Sequence, residues 1–202
     1  MSSAAVSWTV PSAPRVGLWL FMAVVSALFG LFAIAYLMRM VADDWRALPS
    51  VPWQLWLSTA LLATSSVAWQ LASRAAARGD PAAVRRAWLA ACGCALLFLA
   101  VQLWAWQALT AQRYTVDANP ANSFFYLLTG LHGLHVAGGL AAAALVGAGL
   151  LRRRPLAQAA DGIALCARYW HFLLALWLAV FGLLFLVTPA FVQAVCNSVL
   201  PQ

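Results

Sequence analysis

Residues 16–38, VGLWLFMAVVSALFGLFAIAYLM, form an uninterrupted apolar stretch without a single charged side chain. An α-helix needs about 20 mostly apolar residues to cross about 30 Å of hydrocarbon at a rise of 1.5 Å per residue. The stretch is therefore long enough to span a lipid bilayer as a helix.

Four further apolar stretches follow along the chain. They run from about Trp53 to Leu71, Trp88 to Leu109, Ser123 to Leu151 and Tyr169 to Val187. Because backbone groups in lipid need internal hydrogen bonds and no stretch alternates like a barrel strand, each is expected to be a helix. The sequence predicts an all-α membrane protein, with residues 1–202 forming one domain built as a bundle of five transmembrane helices.

The composition of the whole chain supports this class of protein. Hydrophobic residues make up 65% of the 202 residues and charged residues only 8%, whereas soluble domains carry about 25% charged residues. A soluble domain, a disordered tail and a coiled coil are thereby excluded. The formal charge of +7 comes from arginines between apolar runs, so no nucleic acid partner is expected.

The arginines are distributed unevenly between the two ends of the predicted spans. The end that includes the N-terminal tail holds Arg15, Arg74, Arg78, Arg85, Arg86, Arg152, Arg153, Arg154 and Arg168. The other end holds Arg39, Arg46 and Arg113, beside Asp43, Asp44 and Asp117. Because cytoplasmic loops are enriched in Lys and Arg, we expect a cytoplasmic N-terminus, a periplasmic C-terminus and a multi-pass location in a bacterial inner membrane.

The end of the chain is apolar beyond the fifth span. Pro189 follows that span, and most of Ala190–Leu200 is apolar. We expect residues 188–202 to extend the fifth helix past a kink.

The fourth span carries the densest set of polar and small residues. Thr129–His135 reads TGLHGLH, and Gly138 and Gly139 follow. The spacing of three predicts that His132 and His135 share one helix face, and the small residues permit close helix approach. The residues favour neutral histidines hydrogen-bonded across a tight helix pair, followed by a lipid-headgroup contact and by a metal or haem site.

The fifth span is predicted to begin at the cytoplasmic side with Arg168–Phe172. Tyr169 and Trp170 are then expected in the headgroup layer, and His171 is expected to reach water or a lipid phosphate. The Arg152–Arg154 cluster has two interpretations, a site for anionic lipid and a topology signal alone.

The remaining polar residues suggest packing. Modest interhelical hydrogen bonds are expected from Thr59, Ser65, Ser66, Gln70, Gln102 and Gln107. Cys92, Cys94, Cys166 and Cys196 lack metal-site spacing, and no acidic residue lies inside a predicted span. We therefore expect no carboxylate proton relay, metal or other cofactor in this chain.

Two segments carry a recognisable pattern: Phe124–Val136 reads FFYLLTGLHGLHV, and Tyr169–Phe172 reads YWHF with Trp177 after it. They resemble the F-F-x-L-T-G-x-H-G-x-H-V signature and the last helix of one family, subunit III of haem–copper terminal oxidases. Weaker similarities fall in order along the chain: Gly17–Phe21 with Phe29, Ala35 and Tyr36; Thr59, Leu61, Leu62, Ser65 and Ser66; and Gln102.

The resemblance implies a non-catalytic subunit that packs against catalytic subunit I, accompanies subunit II, holds phospholipid and supports proton uptake. The haems and copper ions would belong to the partner subunits. Five spans match the short bacterial form, in which a small subunit IV is a further candidate partner. Val25, Ala105 and Leu174 replace carboxylates of the family pattern, so no carboxylate-linked role is implied.

The residues expected to contact lipid or a neighbouring subunit form one set: Phe21, His132, His135, Arg152, Arg153, Arg154, Tyr169, Trp170, His171 and Trp177.

Two alternatives remain at this stage. One is a subunit-III-like protein associated with nitric oxide reductase. The other is a small b-type cytochrome or quinone-reacting anchor, in which His132 or His135 and His171 would clamp a haem iron. The predicted spans oppose the haem clamp, because they place the two sets of histidines roughly 15–20 Å apart in depth.

Overall fold

A computed structural model describes residues 13–42, 45–46, 51–152, 155–190 and 192 of the chain. These residues form five long helices: α1 (Ala13–Arg39), α2 (Trp53–Ala77), α3 (Pro81–Ala111), α4 (Pro120–Leu151) and α5 (Leu156–Phe185). The described ranges contain no β-strand. The all-α fold and the five helices predicted from the sequence are confirmed.

Four of these helices are long and apolar enough to cross a membrane, namely α1, α3, α4 and the Gln158–Phe185 part of α5. The chain is therefore a multi-pass membrane protein. Within the described ranges α2 is not among these helices, because it carries polar residues along its length. Four of them, Gln54, Ser58, Ser65 and Ser66, are buried inside the bundle, and the span predicted for α2 stays a prediction.

Two helices begin with a side-chain cap followed by proline. The Asp80 carboxylate accepts hydrogen bonds from the backbone N–H groups of Ala82 (3.0 Å) and Ala83 (2.9 Å). Asn119 accepts one from Ala121 in the same way (3.2 Å). Pro81 and Pro120 follow, at the position where a helix does not need the missing N–H group. These signals fix the starts of α3 and α4.

α2, α3 and α5 extend beyond their predicted spans at the arginine-rich end of the bundle, whereas α4 gains three residues at the opposite end. α3, α4 and α5 contain 31, 32 and 30 residues, or about 45–48 Å of helix against about 30 Å of hydrocarbon. α5 begins at Leu156 rather than near Tyr169, so the predicted long loop before it is wrong. Alanine-rich sequence with strong helix propensity continues the helices past their lipid-facing parts.

The core lies between α2, α3, α4 and α5. α2 packs against α3 and α5, and α4 packs against the same two helices. Large side chains with almost no exposed surface fill the space between them: Trp69, Phe98, Phe125, Trp170 and Trp177. These four helices form one bundle that positions the histidines of α4 and α5.

α1 lies on the outside of this bundle, against α4 and α5. Its buried residues are Met22, Val25, Phe29 and Tyr36. Their spacing of three, four and seven places them along one stripe of the helix. The opposite side carries exposed apolar side chains, so one face of α1 is free to contact lipid or another protein.

The chain turns at the end of α5. The helix ends at Phe185, and residues 189, 190 and 192 are helical again. The N–H of Val192 donates to the carbonyl of Thr188 (3.1 Å). This break before Pro189 agrees with the predicted kink, whereas residues 193–202 lie outside the described residues and their extension stays a prediction.

Candidate functional site

The glycines of α4 bring it close to its neighbours. A Cβ on Gly139 would lie 3.0 Å from Cε1 of Tyr169 and 3.1 Å from the Trp170 ring, and one on Gly147 would overlap the ring of Trp88. A methyl group at Gly147 would require Trp88 to move, and one at Gly139 would require the rings of Tyr169 and Trp170 to give way by a few tenths of an ångström. The predicted tight packing around the glycine-rich part of α4 is therefore present.

His132 points into the centre of the bundle and has no exposed surface. Its Nε2–H donates to the carbonyl of Leu173 on α5 (3.0 Å). Its ring centroid lies 5.6 Å from that of Phe98 and 5.1 Å from that of Trp177. Since Nε2 carries the proton, Nδ1 is an acceptor, and it has no hydrogen-bond partner among the described residues. His132 makes the kind of interhelical bond that the sequence favoured.

His135 contacts a different part of the molecule. Its Nδ1–H donates to the carbonyl of Leu131 on its own helix (2.7 Å). Its ring lies 6.0 Å from Phe21 and 5.8 Å from Phe29, both on α1. The two histidines share a helix face, as the spacing predicts, but their directions differ by about 60° around the helix and they meet different neighbours. This difference sends His132 towards α5 and His135 towards α1.

A cavity of about 620 Å³ lies between α1, α4 and α5. Most of its lining is apolar, and the main polar groups are His135 and Tyr169. The Tyr169 hydroxyl donates to the carbonyl of His135 (3.1 Å). The lining residues are Pro14, Leu18, Phe21, Leu134, His135, Gly138, Gly139, Ala142, Leu165, Cys166, Tyr169 and Trp170. Its size and lining suit an apolar ligand with few polar groups.

Charged residues lie at the arginine-rich end of this cavity. Arg15, next to the lining residue Pro14, pairs with Asp161 at 3.8 Å. The guanidinium of Arg168, next to Tyr169, lies 5.7 Å from the centroid of the Trp19 ring. Arg152 is exposed at the end of α4, whereas Arg153 and Arg154 lie outside the described residues. The described cations can meet an anionic group at this end.

His171 joins α5 to α2 and does not lie at a helix start. Its Nε2–H donates to Oε1 of Gln70 (3.0 Å), and its Nδ1 accepts from the hydroxyl of Ser66 (2.6 Å). α5 begins fifteen residues earlier, at Leu156. The predicted position at the helix start is therefore wrong, and both ring nitrogens bind groups of α2.

The aromatic residues of α5 are core residues. Trp170 has no exposed surface and its ring centroid lies 5.1 Å from that of Trp69. Tyr169 is 8% exposed. Trp177 is buried, and its Nε1–H donates to the hydroxyl of Thr59 on α2 (2.8 Å). α5 continues for more than three turns before Tyr169 and Trp170, so they do not lie at a helix start, and their expected position in the headgroup layer stays a prediction.

Other polar side chains link helices as the sequence suggested. The Ser65 hydroxyl donates to the carbonyl of Ala91 (2.7 Å). Two links that the sequence did not single out are formed by tryptophan: Trp106 donates to the hydroxyl of Thr129 (3.1 Å) and Trp88 to the carbonyl of Ala143 (3.0 Å). Gln102 differs, because neither its amide nitrogen nor its oxygen has a partner among the described residues.

The positions and hydrogen bonds of His132 and His171 bear on the haem clamp. The bond from His132 to Leu173 places His132 within two residues of the level of His171, so the predicted separation in depth is wrong. His171 uses both nitrogens on α2, and His132 uses Nε2 on α5. The described residues hold no group of three or more His, Cys, Asp or Glu side chains placed for a metal ion. This arrangement does not favour the clamp.

A second cavity of about 620 Å³ lies at the opposite end of the bundle and is polar. Arg46, Asp117, Asn119 and Ser123 contribute to its wall. The Asn119 side chain accepts from the N–H of Arg46 (3.3 Å) and donates to its carbonyl. A hydrogen bond from the Thr115 side chain lowers the pKa of Asp117. These contacts tie the connection after α1 to the start of α4.

Comparison with known proteins identifies the fold family. The family model described as cytochrome c oxidase subunit III matches residues 15–188. A probable cytochrome c oxidase subunit 3 of Mycobacterium tuberculosis is 34% identical over 166 residues, which cover 78% of this chain and 79% of the relative. One of Nocardia farcinica is 32% identical over 168 residues, with the same shares covered.

A third relative extends the similarity outside these two organisms. The cytochrome c oxidase subunit 3 of Thermostichus vulcanus is 30% identical over 179 residues, which cover 85% of this chain and 86% of the relative. The family match over residues 15–188 includes the helices that build the cavity and all three histidines. The chain belongs to the cytochrome c oxidase subunit III family.

Proposed function

We propose that this chain is the non-catalytic subunit III of a bacterial haem–copper oxidase, where it stabilises catalytic subunit I. Subunit II and a small subunit IV are the further partners, and the haems and copper ions belong to partner chains. The observation that carries the proposal is the family match over residues 15–188. The relatives are named as oxidase subunits, so association with nitric oxide reductase is not favoured.

The chemistry of the side chains that join the helices supports a non-catalytic role. His132 and His171 join helices through hydrogen bonds, and Trp177 does the same through its indole N–H. The positions where the family pattern has carboxylates hold Val25, Ala105 and Leu174. Side chains that hold helices together without an acid or a nucleophile stabilise a complex and do not react with a substrate.

A bound phospholipid is the second part of this proposal. The apolar cavity between α1, α4 and α5 has room for acyl-chain segments, and Arg15 and Arg168 lie next to its lining residues Pro14 and Tyr169. Arg152 ends α4 ten residues beyond the lining residue Ala142. Each Arg near an anionic surface contributes about 1 kcal/mol to binding. The cavity would hold the acyl chain, and the arginines would hold the headgroup.

The location in the cell follows from the same charges. Nine arginines at one end of the bundle and three at the other favour a bacterial inner membrane with that first end in the cytoplasm. In this orientation the charged end of the lipid cavity faces the cytoplasmic leaflet, where anionic lipid is available to pair with Arg168 beside the Arg15–Asp161 ion pair.

The test is to purify the oxidase with and without this chain and follow oxygen consumption over many turnovers. We expect the complex without the chain to start with activity and to lose it sooner, because its catalytic subunit has lost a packing partner and proton uptake is less well supported. Adding the purified chain back is the control and should restore the lifetime. Equal lifetimes with and without the chain would contradict the supporting role.

A further inference from the structure

Two buried side chains, Gln102 and His132, have polar atoms without a hydrogen-bond partner among the described residues. Gln102 on α3 is 3% exposed, and its Nε2 and Oε1 atoms have no partner among the described residues. His132 on α4 is fully buried, and its Nδ1 has none either. An unsatisfied buried polar group costs about 1–3 kcal/mol. Such groups in folded proteins usually bind an ordered water or an ion.

The contacts around Gln102 place it opposite the segment that contains His132. Phe98, Gln102 and Trp106 follow one another at intervals of four on α3, so they share one side of the helix. Phe98 lies 5.6 Å from the His132 ring, and Trp106 donates to the hydroxyl of Thr129. Thr129 and His132 are one turn apart on α4. Gln102 therefore lies between two α3–α4 contacts and faces the stretch from Thr129 to His132.

The hydrogen-bonding roles of the two groups are complementary across a water molecule. Because Nε2–H of His132 donates to Leu173, its Nδ1 must accept. The amide of Gln102 offers two N–H donors and a carbonyl acceptor. A water can accept from the Gln102 amide and donate to His132 Nδ1, which leaves its second hydrogen for the Gln102 carbonyl or for a second water.

We propose that Gln102 and His132 bind an internal water molecule between α3 and α4. The surrounding Phe98, Ala105 and Trp177 side chains are buried, so lipid does not reach this site and a small polar molecule is the fitting ligand. Internal waters typically make about three hydrogen bonds, which the two side chains can supply. The water would hold His132 in the tautomer that binds α5.

The first experiment is a structure of the full chain in lipid nanodiscs, with any subunits that copurify, at a resolution that shows ordered waters. We expect a water about 2.7–3.2 Å from both the Gln102 amide and His132 Nδ1. A direct bond between the amide and Nδ1 would overturn the proposal. So would a structure in which both groups bind other residues and no water lies between them.

The second experiment compares two variants of the same helix. Gln102→Leu removes the amide and keeps a side chain of similar size, whereas Gln107→Leu changes an exposed residue five positions further along α3. In ¹⁵N-histidine-labelled protein, we expect the Nδ1 resonance of His132 to move in Gln102→Leu and to stay in place in Gln107→Leu. An Nδ1 resonance that stays in place in Gln102→Leu would overturn the proposal. If Gln102→Leu does not fold, the structure of the unsubstituted chain in nanodiscs decides whether the water is present.

Discussion

Gly147 of α4 has only a hydrogen atom in place of a side chain, and this allows Trp88 of α3 to pack directly against its backbone. A Cβ on Gly147 would overlap Cζ2, Cε2 and Cη2 of the Trp88 ring. The indole N–H of Trp88 donates to Ala143 one turn away, so the ring cannot turn aside without losing this bond. We expect Gly147→Ala to lower the free energy of unfolding by about 1–3 kcal/mol, the usual effect of overpacking. Thermal unfolding of the purified chain measures this.

Gly138 on the same helix is the matched control. A Cβ there would meet no atom within 4 Å, and alanine has a higher helix propensity than glycine by about 1 kcal/mol. Gly138→Ala should therefore leave stability unchanged or raise it. An equal loss of stability in the two variants would mean that the Trp88 contact is not the cause.

The two histidines of α4 show where residue-level prediction from sequence reaches its limit. The glycine-rich surroundings of His132 indicated a hydrogen bond across a tight helix pair, and the bond to Leu173 confirms it. Spacing alone could not tell that His135 faces α1 instead, because an angle of about 60° on a helix decides which neighbour a side chain meets. That decision depends on packing directions that only the folded bundle defines.

The link between α2 and α5 gives a prediction at the scale of elements. His171 binds both Ser66 and Gln70 of α2. A double-mutant cycle of Ser66→Ala and His171→Leu should give a coupling free energy of about 0.6 kcal/mol, the average for hydrogen bonds between membrane helices. Unfolding of the chain and its three variants in mixed micelles provides the measurement.

Thr64 supplies the control for this cycle, because its hydroxyl donates to Ala60 of its own helix (2.8 Å). Thr64→Val combined with His171→Leu should show no coupling. If the Ser66 cycle also shows none, the hydrogen bond between α2 and α5 does not contribute to stability.

The cavity between α1, α4 and α5 gives a second prediction at this scale. Gly138 lines the cavity and has no neighbour within 4 Å of its Cβ position. Gly138→Phe should occupy the space proposed for an acyl chain and reduce the phospholipid that copurifies with the chain, as counted by native mass spectrometry. Stability should change little because the new ring enters open space.

Gly93→Phe on α3 is the control, since Gly93 also has open space around it and does not line the cavity. It should retain the bound phospholipid. If Gly138→Phe retains as much lipid as Gly93→Phe, the cavity is not the lipid site, while the role as subunit III is unaffected.

Element boundaries were less predictable than the elements themselves. All five helices follow from apolar stretches, and Asp80–Pro81 and Asn119–Pro120 mark two starts. Hydropathy reports the part of a helix that lies in lipid, so it missed the alanine-rich start of α5 at Leu156. That error placed Tyr169 and Trp170 at the start of a helix, although both lie more than three turns inside α5 and are buried within the bundle.

At the scale of the whole molecule, α1 has an unusual position. Apolar side chains remain exposed along its outer side, among them Leu20, Val24, Leu31 and Ile34. The same helix forms one wall of the cavity through Leu18 and Phe21. A helix with one face on the bundle and the other uncovered suits a subunit whose outer side meets lipid or a neighbouring chain.

The orientation of the whole bundle is the last prediction. The nine-to-three distribution of arginines predicts that the turn between α2 and α3 is cytoplasmic and that the connection between α3 and α4 is periplasmic. With the native cysteines replaced by alanine, Arg78→Cys should react with a membrane-impermeant maleimide only in inverted vesicles. Ala118→Cys should react in intact spheroplasts, because both positions are exposed but lie at opposite ends of α3.

Detergent-solubilised protein, in which both cysteines should react, controls for accessibility. Reversed labelling of the two positions would invert the bundle and place the charged end of the lipid cavity in the periplasmic leaflet. Labelling of both from one side would mean that α3 does not cross the membrane.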